Sequence, residues 1–381
     1  MKILYDLIAA QSNTSGKSHG GGKYAIIVFY ELLKRRVSFE CIWDSSKYLR
    51  EDILEECKNK DIVLYDVRFN DLENIIINGH YDIFYSALPF YCPQIKKTKT
   101  KYIGTLHGLR GMEMPKDPFF FLYRLSFKEK IKIYLSNYCT IWWKKWERKK
   151  YTFIMNQPNF SYIAVSQHTK YSILSYFPNI KENLIRVYYS PSTSVEYEIG
   201  PYAIEKYFLL VSANRPEKNA LRALMALDEL FTERKEFMDL KVYITGATEF
   251  SFRYNLKNKT KFHFLGYVDE RTLDSLYKGA YCFIYPSLNE GFGYPPLEAM
   301  HYGVPVIASS FASINEICGE AVLYFNPLDY KELKARILQM FLDESIRKIL
   351  VTKARKRYLE ITSRQKEDLE RLVDFILRGH L

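Results

Sequence analysis

Two glutamates and a glycine-containing loop lie together in the most informative stretch of the chain. Glu290 precedes the loop Gly291-Phe292-Gly293, and Glu298 follows it beyond the pair Pro295-Pro296. Glycines let backbone N–H groups approach an anion, and proline is favoured in the first turn of a helix, so this loop predicts a phosphate cradle at a helix N-terminus. Glu298 would lie one or two turns into that helix, within reach of a ribose. Glu290 would accept hydrogen bonds from a sugar.

Cations that could neutralise a diphosphate occur earlier in the chain. Arg215 and Lys218 lie three residues apart after a predicted strand, and the run Gly20-Gly21-Gly22 follows the first predicted strand. Cleavage of a sugar–phosphate bond requires stabilisation of the negative charge on the leaving group, which these cations and backbone amides could supply. The sequence Asp-x-Asp occurs nowhere in the chain. We therefore predict chemistry that needs no metal and no other cofactor.

Short apolar segments alternate with helical segments along the chain, and this pattern predicts parallel sheets covered by helices on both faces. Twelve segments have the composition of buried strands: 3–7, 37–43, 62–65, 83–85, 102–106, 162–165, 207–211, 241–245, 262–265, 282–285, 304–308 and 322–325. A chain of 381 residues also exceeds the usual size of one hydrophobic core. We predict an α/β fold with two Rossmann-like, doubly wound domains that face each other across a cleft. Ligands bind such sheets at the carboxyl ends of the strands.

The strand pattern restarts after a polar stretch that contains proline and glycine, residues 190–201. This predicts a first domain over 1–190 and a second over 202–363. The last helix has an apolar stripe at helical spacing, which must be covered by one of the domains. Its residues are Leu369, Leu372, Val373, Ile376 and Leu377.

The formal charge of +11 is concentrated in one segment. Residues 124–150 contain nine Lys or Arg against two Glu, beside the aromatic runs at 119–121 and 142–146. Binding at a membrane interface favours such a mixture of rings and cations, so 119–151 is a candidate for contact with an anionic membrane surface. The alternative is a solvated helix that packs its aromatic side chains on its own domain. Nucleic acid is not an expected partner, because none of the usual binding modules is visible.

The compartment is indicated by cysteine usage and hydropathy. The six cysteines show no metal-ligand spacing, and no apolar run approaches the roughly 18 residues that a membrane span needs. We predict a cytoplasmic protein, either free or peripheral on the inner face of the cytoplasmic membrane.

The text around the two glutamates resembles the signature of a known family. Glu290 and Glu298 stand in the E-x7-E arrangement of glycosyltransferase family 4 (glycosyl transferases group 1), and the string EGFGYPPLEAMHYGVPVIAS is similar to that signature almost residue for residue. The resemblance covers most of the chain. It implies the GT-B fold, retention of anomeric configuration, no metal, and a C-terminal helix, about 364–381, that crosses back to the first domain.

The resemblance also implies roles for individual residues. Glu290 would bind the donor sugar, and His107, in Thr105-Leu-His-Gly108, would face it; a strand-end histidine capping a loop is the alternative for His107. Lys218 matches the family lysine, whereas Arg215 is shifted from the family arginine and either reaches the same phosphates or is an exposed turn residue. The donor-binding residues would be Gly21, Gly22, Arg215, Lys218, Tyr267, Val268, Gly291, Phe292, Gly293 and Glu298.

The predicted function is transfer of a hexose from a nucleotide-diphosphate donor to a glycan or lipid-linked acceptor in cell-surface polysaccharide synthesis: lipopolysaccharide, capsule or exopolysaccharide. The resemblance implies same-face attack, in which the departing phosphate oxygen helps take the acceptor proton and Glu290 orients the sugar. One alternative is a sugar-nucleotide epimerase of the same architecture, although its extra acid and base residues are not visible. The other is a basic nucleic-acid-binding protein, which would explain the charge but not the two glutamates.

Overall fold

The computed structural model of the chain describes residues 1–12, 20–89, 98–155, 159–192 and 206–378. The chain divides into two compact units: unit 1 contains Met1–Leu109, Trp146–Ser194 and Thr362–Leu381, and unit 2 contains Arg110–Lys145 and Val195–Ile361. The segment 110–145 therefore groups with unit 2, whereas the sequence analysis places it in the first domain. Most of the predicted linker, from 193 onward, lies outside the described residues.

Each unit is built on one parallel sheet. The strands are β1 (Ile3–Asp6), β2 (Phe39–Trp43), β3 (Leu64–Asp66), β4 (Ile83–Ser86), β5 (Lys101–Leu106), β6 (Phe160–Ala164), β7 (Ile185–Val187), β8 (Tyr207–Leu210), β9 (Lys241–Thr245), β10 (Phe262–Gly266), β11 (Cys282–Tyr285), β12 (Val306–Ser309) and β13 (Val322–Phe325). Unit 1 has the order β3-β2-β1-β4-β5-β6-β7 and unit 2 the order β10-β9-β8-β11-β12-β13. Both sheets are doubly wound. In each, the first strand lies inside the sheet, the next two strands are added toward one edge, and the later strands are added on the other side of the first.

Helices connect the strands. They are α1 (Gly20–Lys34), α2 (Glu51–Asn59), α3 (Leu72–Gly79), α4 (Arg110–Glu113), α5 (Phe127–Tyr138), α6 (Thr140–Met155), α7 (Gln167–Tyr176), α8 (Ala220–Glu233), α9 (Glu270–Gly279), α10 (Tyr294–His301), α11 (Ile314–Cys318), α12 (Tyr330–Leu342) and α13 (Glu344–Arg378). None of those in the described ranges is long and apolar enough to cross a membrane.

All twelve predicted strands are present, with ends that differ by at most two residues. The strand predicted from 304 begins at Val306, after Pro305, whose nitrogen carries no hydrogen for a sheet hydrogen bond. One further strand, β7 (Ile185–Val187), was not among the twelve.

Helix α13 has residues in both units. Its first part, up to Ile361, belongs to unit 2, and the residues from Thr362 belong to unit 1. Leu372, Val373 and Ile376 of the predicted stripe are buried. The Asp368 carboxylate accepts a hydrogen bond of 2.9 Å from the backbone N–H of Tyr189, a residue of unit 1. The expected return of this helix to the first domain is confirmed.

The segment that follows β5 joins the core of unit 2. Phe119, Leu122 and Tyr123 pack with the hydrophobic cluster around β8, β9 and α8. Asp117 and Arg222 form a bidentate ion pair, with O–N distances of 2.6 and 2.8 Å and both side chains at most 5% exposed. These contacts attach the segment to α8, far along the sequence, and composition alone gave no sign of them.

Candidate active site

The site lies at the point of unit 2 where the strand order reverses. Strands β8 and β11 are neighbours there, although they are not consecutive in sequence. Lys218 follows β8 and Glu290 follows β11, so the carboxyl ends of two parallel strands bring the two residues together. In open α/β sheets this is the position at which ligands bind.

Lys218 and Glu290 form a buried ion pair. The Nζ atom of Lys218 is 2.6 Å from Oε1 of Glu290 and 3.0 Å from the hydroxyl of Tyr285. Burial alone would raise the pKa of Glu290, but the Lys218 ammonium and the Arg110 guanidinium hold it at about 2, so the side chain is an anion at neutral pH. Burial lowers the pKa of Lys218, while Glu290 opposes that shift. The pair can therefore present one cation and one anion side by side to a phosphorylated sugar.

Two serines fix the carboxylate and its loop. The Ser287 hydroxyl donates to Oε1 of Glu290 at 2.6 Å. The Ser313 hydroxyl lies 2.9 Å from the carbonyl oxygen of Glu290 and 2.8 Å from that of Phe292. These hydrogen bonds hold the loop in a defined shape.

The predicted helix N-terminus is present after this loop. Gly293 caps α10 with φ of +110°, a backbone conformation that side chains with a Cβ rarely adopt, and Pro295 and Pro296 occupy the first turn. Apart from Gly293 and its two neighbours in the chain, the part of the protein that the structure describes has no atom within 4 Å of the place where a Cβ on Gly293 would stand. The glycine loop and the positive end of the α10 dipole fit an anion such as phosphate.

Glu298 lies half-buried in α10 beside a buried tyrosine. Burial raises the pKa of Tyr277 well above its ordinary range, and the adjacent Glu298 carboxylate raises it further. Leu297 and Ala299 on either side of Glu298 are buried. The packing of α10 thus sets the direction of the carboxylate, and its role toward ribose stays a prediction.

Arg215 is held by a neighbouring carboxylate. Its Nε and Nη2 atoms lie 2.9 and 2.6 Å from Oε1 of Glu217, and Nη1 of Arg110 lies 2.8 Å from the same oxygen. The Arg215 side chain remains 45% exposed. Of the two interpretations of Arg215, the geometry is compatible with a phosphate ligand, because guanidinium donors remain directed away from Glu217.

The expected base-binding residues lie at the end of β10. Gly266 closes this edge strand with φ of +64°, and Tyr267, which follows it, is 70% exposed. Val268 is half-buried. Both residues are at the same edge of the sheet as Lys218, because all the strands are parallel.

The remaining predicted residues belong to unit 1. His107 follows β5, and its Nε2 lies 3.1 Å from the carbonyl oxygen of Ala87, in the loop after β4. Its ring meets the ring of Tyr24 edge to face, with centroids 4.9 Å apart. Gly21 and Gly22 lie in the first turn of α1, and a Cβ on Gly21 would come within 3.0 Å of the Leu88 side chain. His107 therefore contacts the neighbouring loop, and its role toward the donor sugar stays a prediction.

Several site residues were not found by sequence reasoning. Ser287 stands three residues before Glu290, just outside the string that carries the signature. Arg110 and Glu217 gave no signal, because they come from distant segments and meet through the fold.

Comparison with known proteins follows this geometry. Residues 198–357 match the family described as glycosyl transferases group 1. This region coincides with most of unit 2 and includes both glutamates of the E-x7-E arrangement. This match agrees with the resemblance that the sequence indicated.

Two curated relatives and one solved structure extend the comparison. O-antigen chain mannosyltransferase B of Escherichia coli is 36% identical over 39% of this chain and 40% of the relative. O-antigen chain mannosyltransferase RfbU of Salmonella typhimurium is 32% identical over 46% of this chain and 49% of the relative. The chain thus matches half or less of the length of each.

The solved structure is Anabaena HepE in complex with UDP-glucose. It covers 98% of this chain and 100% of its own, with a TM-score of 0.62 and 14% identity. At this identity the likeness shows the fold. The predicted α/β fold of the GT-B class is confirmed.

Proposed function

We propose that this protein is a retaining glycosyltransferase that transfers a hexose from a nucleotide-diphosphate donor to an acceptor in cell-surface polysaccharide synthesis. The observation that carries the proposal is the buried Lys218–Glu290 pair at the strand reversal of unit 2, directly before the glycine loop and the N-terminus of α10. The names of the two O-antigen mannosyltransferases support this class of product and favour mannose as the sugar.

Each residue has a role in this proposal. Lys218 and Arg215 neutralise the leaving diphosphate together with the amides of Gly291–Gly293, and Glu298 accepts hydrogen bonds from the ribose. Both bonds that fix the Glu290 carboxylate end on Oε1. Its other oxygen can therefore accept a hydrogen bond from a hydroxyl of the donor sugar. The acceptor attacks on the face that the diphosphate leaves, and the departing phosphate oxygen takes its proton.

No metal or other cofactor is needed in this proposal, since Lys218, Arg215 and the α10 dipole provide positive charge for the diphosphate. Transfer measured after dialysis against EDTA should equal transfer with added Mg²⁺ or Mn²⁺. Loss of transfer in EDTA with recovery on adding metal would contradict metal independence and would leave the donor class standing.

A thermal-shift screen with UDP, GDP and dTDP tests the donor class. A ligand at 100 times its dissociation constant stabilises a protein by about 2.7 kcal/mol, which is readily measured. The sugar nucleotides of the stabilising base then identify the sugar by transfer to a glycan acceptor, and NMR of the product shows the anomeric configuration. Absence of stabilisation by all three nucleotides would overturn the donor assignment.

An anionic membrane surface is the proposed location of a lipid-linked acceptor. Helix α5 has no buried residue, and Phe127, Tyr134 and Tyr138 on it are 77%, 54% and 66% exposed. The start of α6 continues this surface with Ile141 and Trp142, which are 83% and 75% exposed. We call residues 127–145 the aromatic–basic segment. Its exposed rings and lysines suit the interface of a bilayer that carries negative charge.

The exposed segment is shorter than the membrane contact predicted for residues 119–151. Phe119 and Phe120 were part of the predicted membrane contact, but Phe120 is buried and Phe119 lies 3.9 Å from the Arg222 guanidinium. At the other end, Glu147 and Tyr151 are buried. The membrane proposal therefore rests on the aromatic–basic segment alone.

Vesicle co-sedimentation tests this partner with a charge-reversal variant. The four exposed lysines of the aromatic–basic segment to be changed to Glu are Lys128, Lys132, Lys144 and Lys145. The matched control changes four exposed lysines elsewhere to Glu: Lys58, Lys60, Lys257 and Lys259. Each basic residue near an anionic surface contributes about 1 kcal/mol, so the first variant should lose vesicle binding while the control loses less.

Salt and acceptor provide the second readout. Binding to phosphatidylserine vesicles should weaken between 0.1 M and 1 M salt, because the screening length falls from about 10 Å to about 3 Å. Hydrolysis of a soluble donor should survive the charge reversal, while transfer to a lipid-linked acceptor should fall. Binding that is insensitive to salt and to both sets of substitutions would mean that the segment is an ordinary solvated surface.

A further inference from the structure

A third cation stands at the candidate site, on a segment that neither the family match nor the signature includes. Arg110 begins α4, and its Nη1 lies 2.8 Å from Oε1 of Glu217. We propose that Arg110 is a further ligand of the donor diphosphate, positioned by Glu217 beside Arg215. The proposal rests on the proposed function, because it assigns Arg110 to the same donor.

The exposure of the three side chains is what indicates an external anion. The Glu217 side chain is 17% exposed, whereas those of Arg110 and Arg215 are 43% and 45% exposed. A guanidinium carries five N–H donors in a planar fork, and Arg110 uses one of them and Arg215 two on Glu217. The carboxylate thus fixes two guanidinium groups from the protein side. The donors on their other side can bind phosphate oxygens.

The site contains more cationic than anionic side chains. Arg110, Arg215 and Lys218 are in direct contact with two carboxylates, those of Glu217 and Glu290. Arg110 and Lys218 both act on Glu290, since both help to hold the pKa of that carboxyl down. The five groups therefore form one cluster with a positive excess of one, which a diphosphate can satisfy through charge-assisted hydrogen bonds.

The position of Arg110 within the cluster indicates which of the two donor phosphates it would contact. Glu290 is the proposed partner of the donor sugar, and the sugar is attached to the β-phosphate. Arg110 begins α4, and Glu113 of the same helix accepts a hydrogen bond from Asn289, the residue before Glu290. We therefore place Arg110 nearer the β-phosphate than the α-phosphate. Arg110 should discriminate nucleoside diphosphates from monophosphates.

Contacts of Met112 and Glu113 hold α4 in place, and with it the backbone of Arg110. Met112 is 1% exposed, and the Glu113 carboxylate accepts a hydrogen bond of 2.6 Å from the amide of Asn289, the residue before Glu290. The alternative is that Arg110 only anchors α4 to the turn at 216–218. In that case its loss would disturb the whole site and all nucleotides alike.

The ratio of diphosphate to monophosphate affinity separates these alternatives. We would measure calorimetric dissociation constants for UDP and UMP, GDP and GMP, and dTDP and dTMP, and use the pair whose diphosphate binds the wild type most tightly. Arg110→Gln should weaken the binding of the diphosphate by ten- to a hundredfold, as expected for loss of a charged hydrogen bond. It should weaken the binding of the monophosphate by less than threefold. Arg110→Lys should recover part of the loss, because the ammonium keeps the charge but not the fork.

The control is Arg271→Gln, on the exposed surface of α9, which should change neither constant. If Arg110→Gln weakens both nucleotides equally, or neither, the assignment of Arg110 is wrong. If Arg110→Gln does not fold, the same ratio measured on Arg110→Lys decides, with a three- to tenfold loss confined to the diphosphate as the expected result. A wild-type protein that binds none of the nucleotides would instead overturn the proposed function.

Discussion

At the residue scale, Glu290 is ionised because of its neighbours and in spite of its burial. An isolated buried carboxylate would take up a proton, but Lys218 at 2.6 Å and the hydroxyl of Ser287 at 2.6 Å stabilise the anion. Lys218 is also largely buried, since its side chain is 8% exposed. The pair is therefore a preformed arrangement of opposite charges that a bound donor can enter.

Glu290→Gln should retain nucleotide binding and lose most of the turnover, because its proposed partner is the sugar and not the nucleoside. The comparison is the steady-state rate and the nucleoside diphosphate affinity of the variant, with Glu249→Gln on the exposed surface as control. Rates like those of the wild type would remove Glu290 from the site.

The acid stability of the same variant gives a second test. The folded pKa of about 2 lies below the usual value of 4.5, so the stabilisation is complete above pH 5 and is lost as the pH falls from about 5 to about 2. The shift corresponds to about 3 kcal/mol in the free energy of unfolding. Denaturant unfolding from pH 3 to 7 should show a shallower pH dependence for Glu290→Gln than for the wild type. Parallel curves would contradict the ion pair.

Glu298→Ala should weaken nucleoside diphosphate binding by ten- to a hundredfold, because it removes the carboxylate that accepts from the ribose hydroxyls. Equilibrium dialysis measures the affinity, and circular dichroism verifies that the half-buried position in α10 tolerates the change. Glu249→Ala is the matched exposed control. Unchanged affinity in a folded variant would refute the ribose role.

At the scale of elements, the segment 110–125 is held on unit 2 by polar and apolar contacts together. The backbone N–H of Leu221 donates to the Tyr123 hydroxyl at 3.2 Å, and Asp117 pairs with Arg222. Asn219 is the N-cap of α8, and its amide donates to the carbonyl oxygens of Pro286 and Pro327 at 3.1 and 2.7 Å. The turn with Lys218 thus sits between α4, α8 and the loop after β11, and these elements fix its position.

Asp117→Asn should lower the free energy of unfolding by about 3–5 kcal/mol, because it leaves the buried Arg222 without its counter-charge. Urea unfolding is the measurement, and Asp239→Asn, at an exposed position, is the control. A loss no larger than that of the control would mean that the pair contributes little to the attachment of the segment.

At the scale of the whole molecule, two sheets with the same doubly wound order are described, and α13 supplies residues to both units. In unit 1, the end of this helix is fixed by polar as well as apolar contacts. Arg35 donates to the Asp374 carboxylate at 2.5 Å, and Ile376 is fully buried. The end of the last helix is therefore part of the core of unit 1, although it is the most distant segment in sequence.

Ile376→Ala should destabilise the protein by about 2–5 kcal/mol through the cavity that it leaves. Ile349→Ala is the matched control on the same helix, since Ile349 is 54% exposed and belongs to unit 2. Thermal unfolding of both variants provides the comparison. Equal effects would indicate that the end of α13 is not packed on unit 1.

The sequence by itself determined the elements and the identity of the main site residues. Strand and helix periods are local properties, so all twelve predicted strands were found, and the string from Glu290 to Ser309 has a backbone requirement, at Gly293, that can be read from residue types. The link between Lys218 and Glu290 could be anticipated, because both follow strands of one parallel sheet.

Tertiary structure alone decided which distant side chains meet. Arg110 joins Glu217 across 107 positions, and Asp117 joins Arg222 across 105 positions, so no local spacing marks either pair. The same limit applies to the exposed surface. Phe119, Phe120 and Trp142 are equally aromatic in sequence, but Phe119 packs against the core of unit 2, Phe120 is buried and Trp142 remains 75% exposed. Composition sets the affinity of a side chain for an apolar environment, whereas the packing of the folded chain determines whether the protein itself provides that environment.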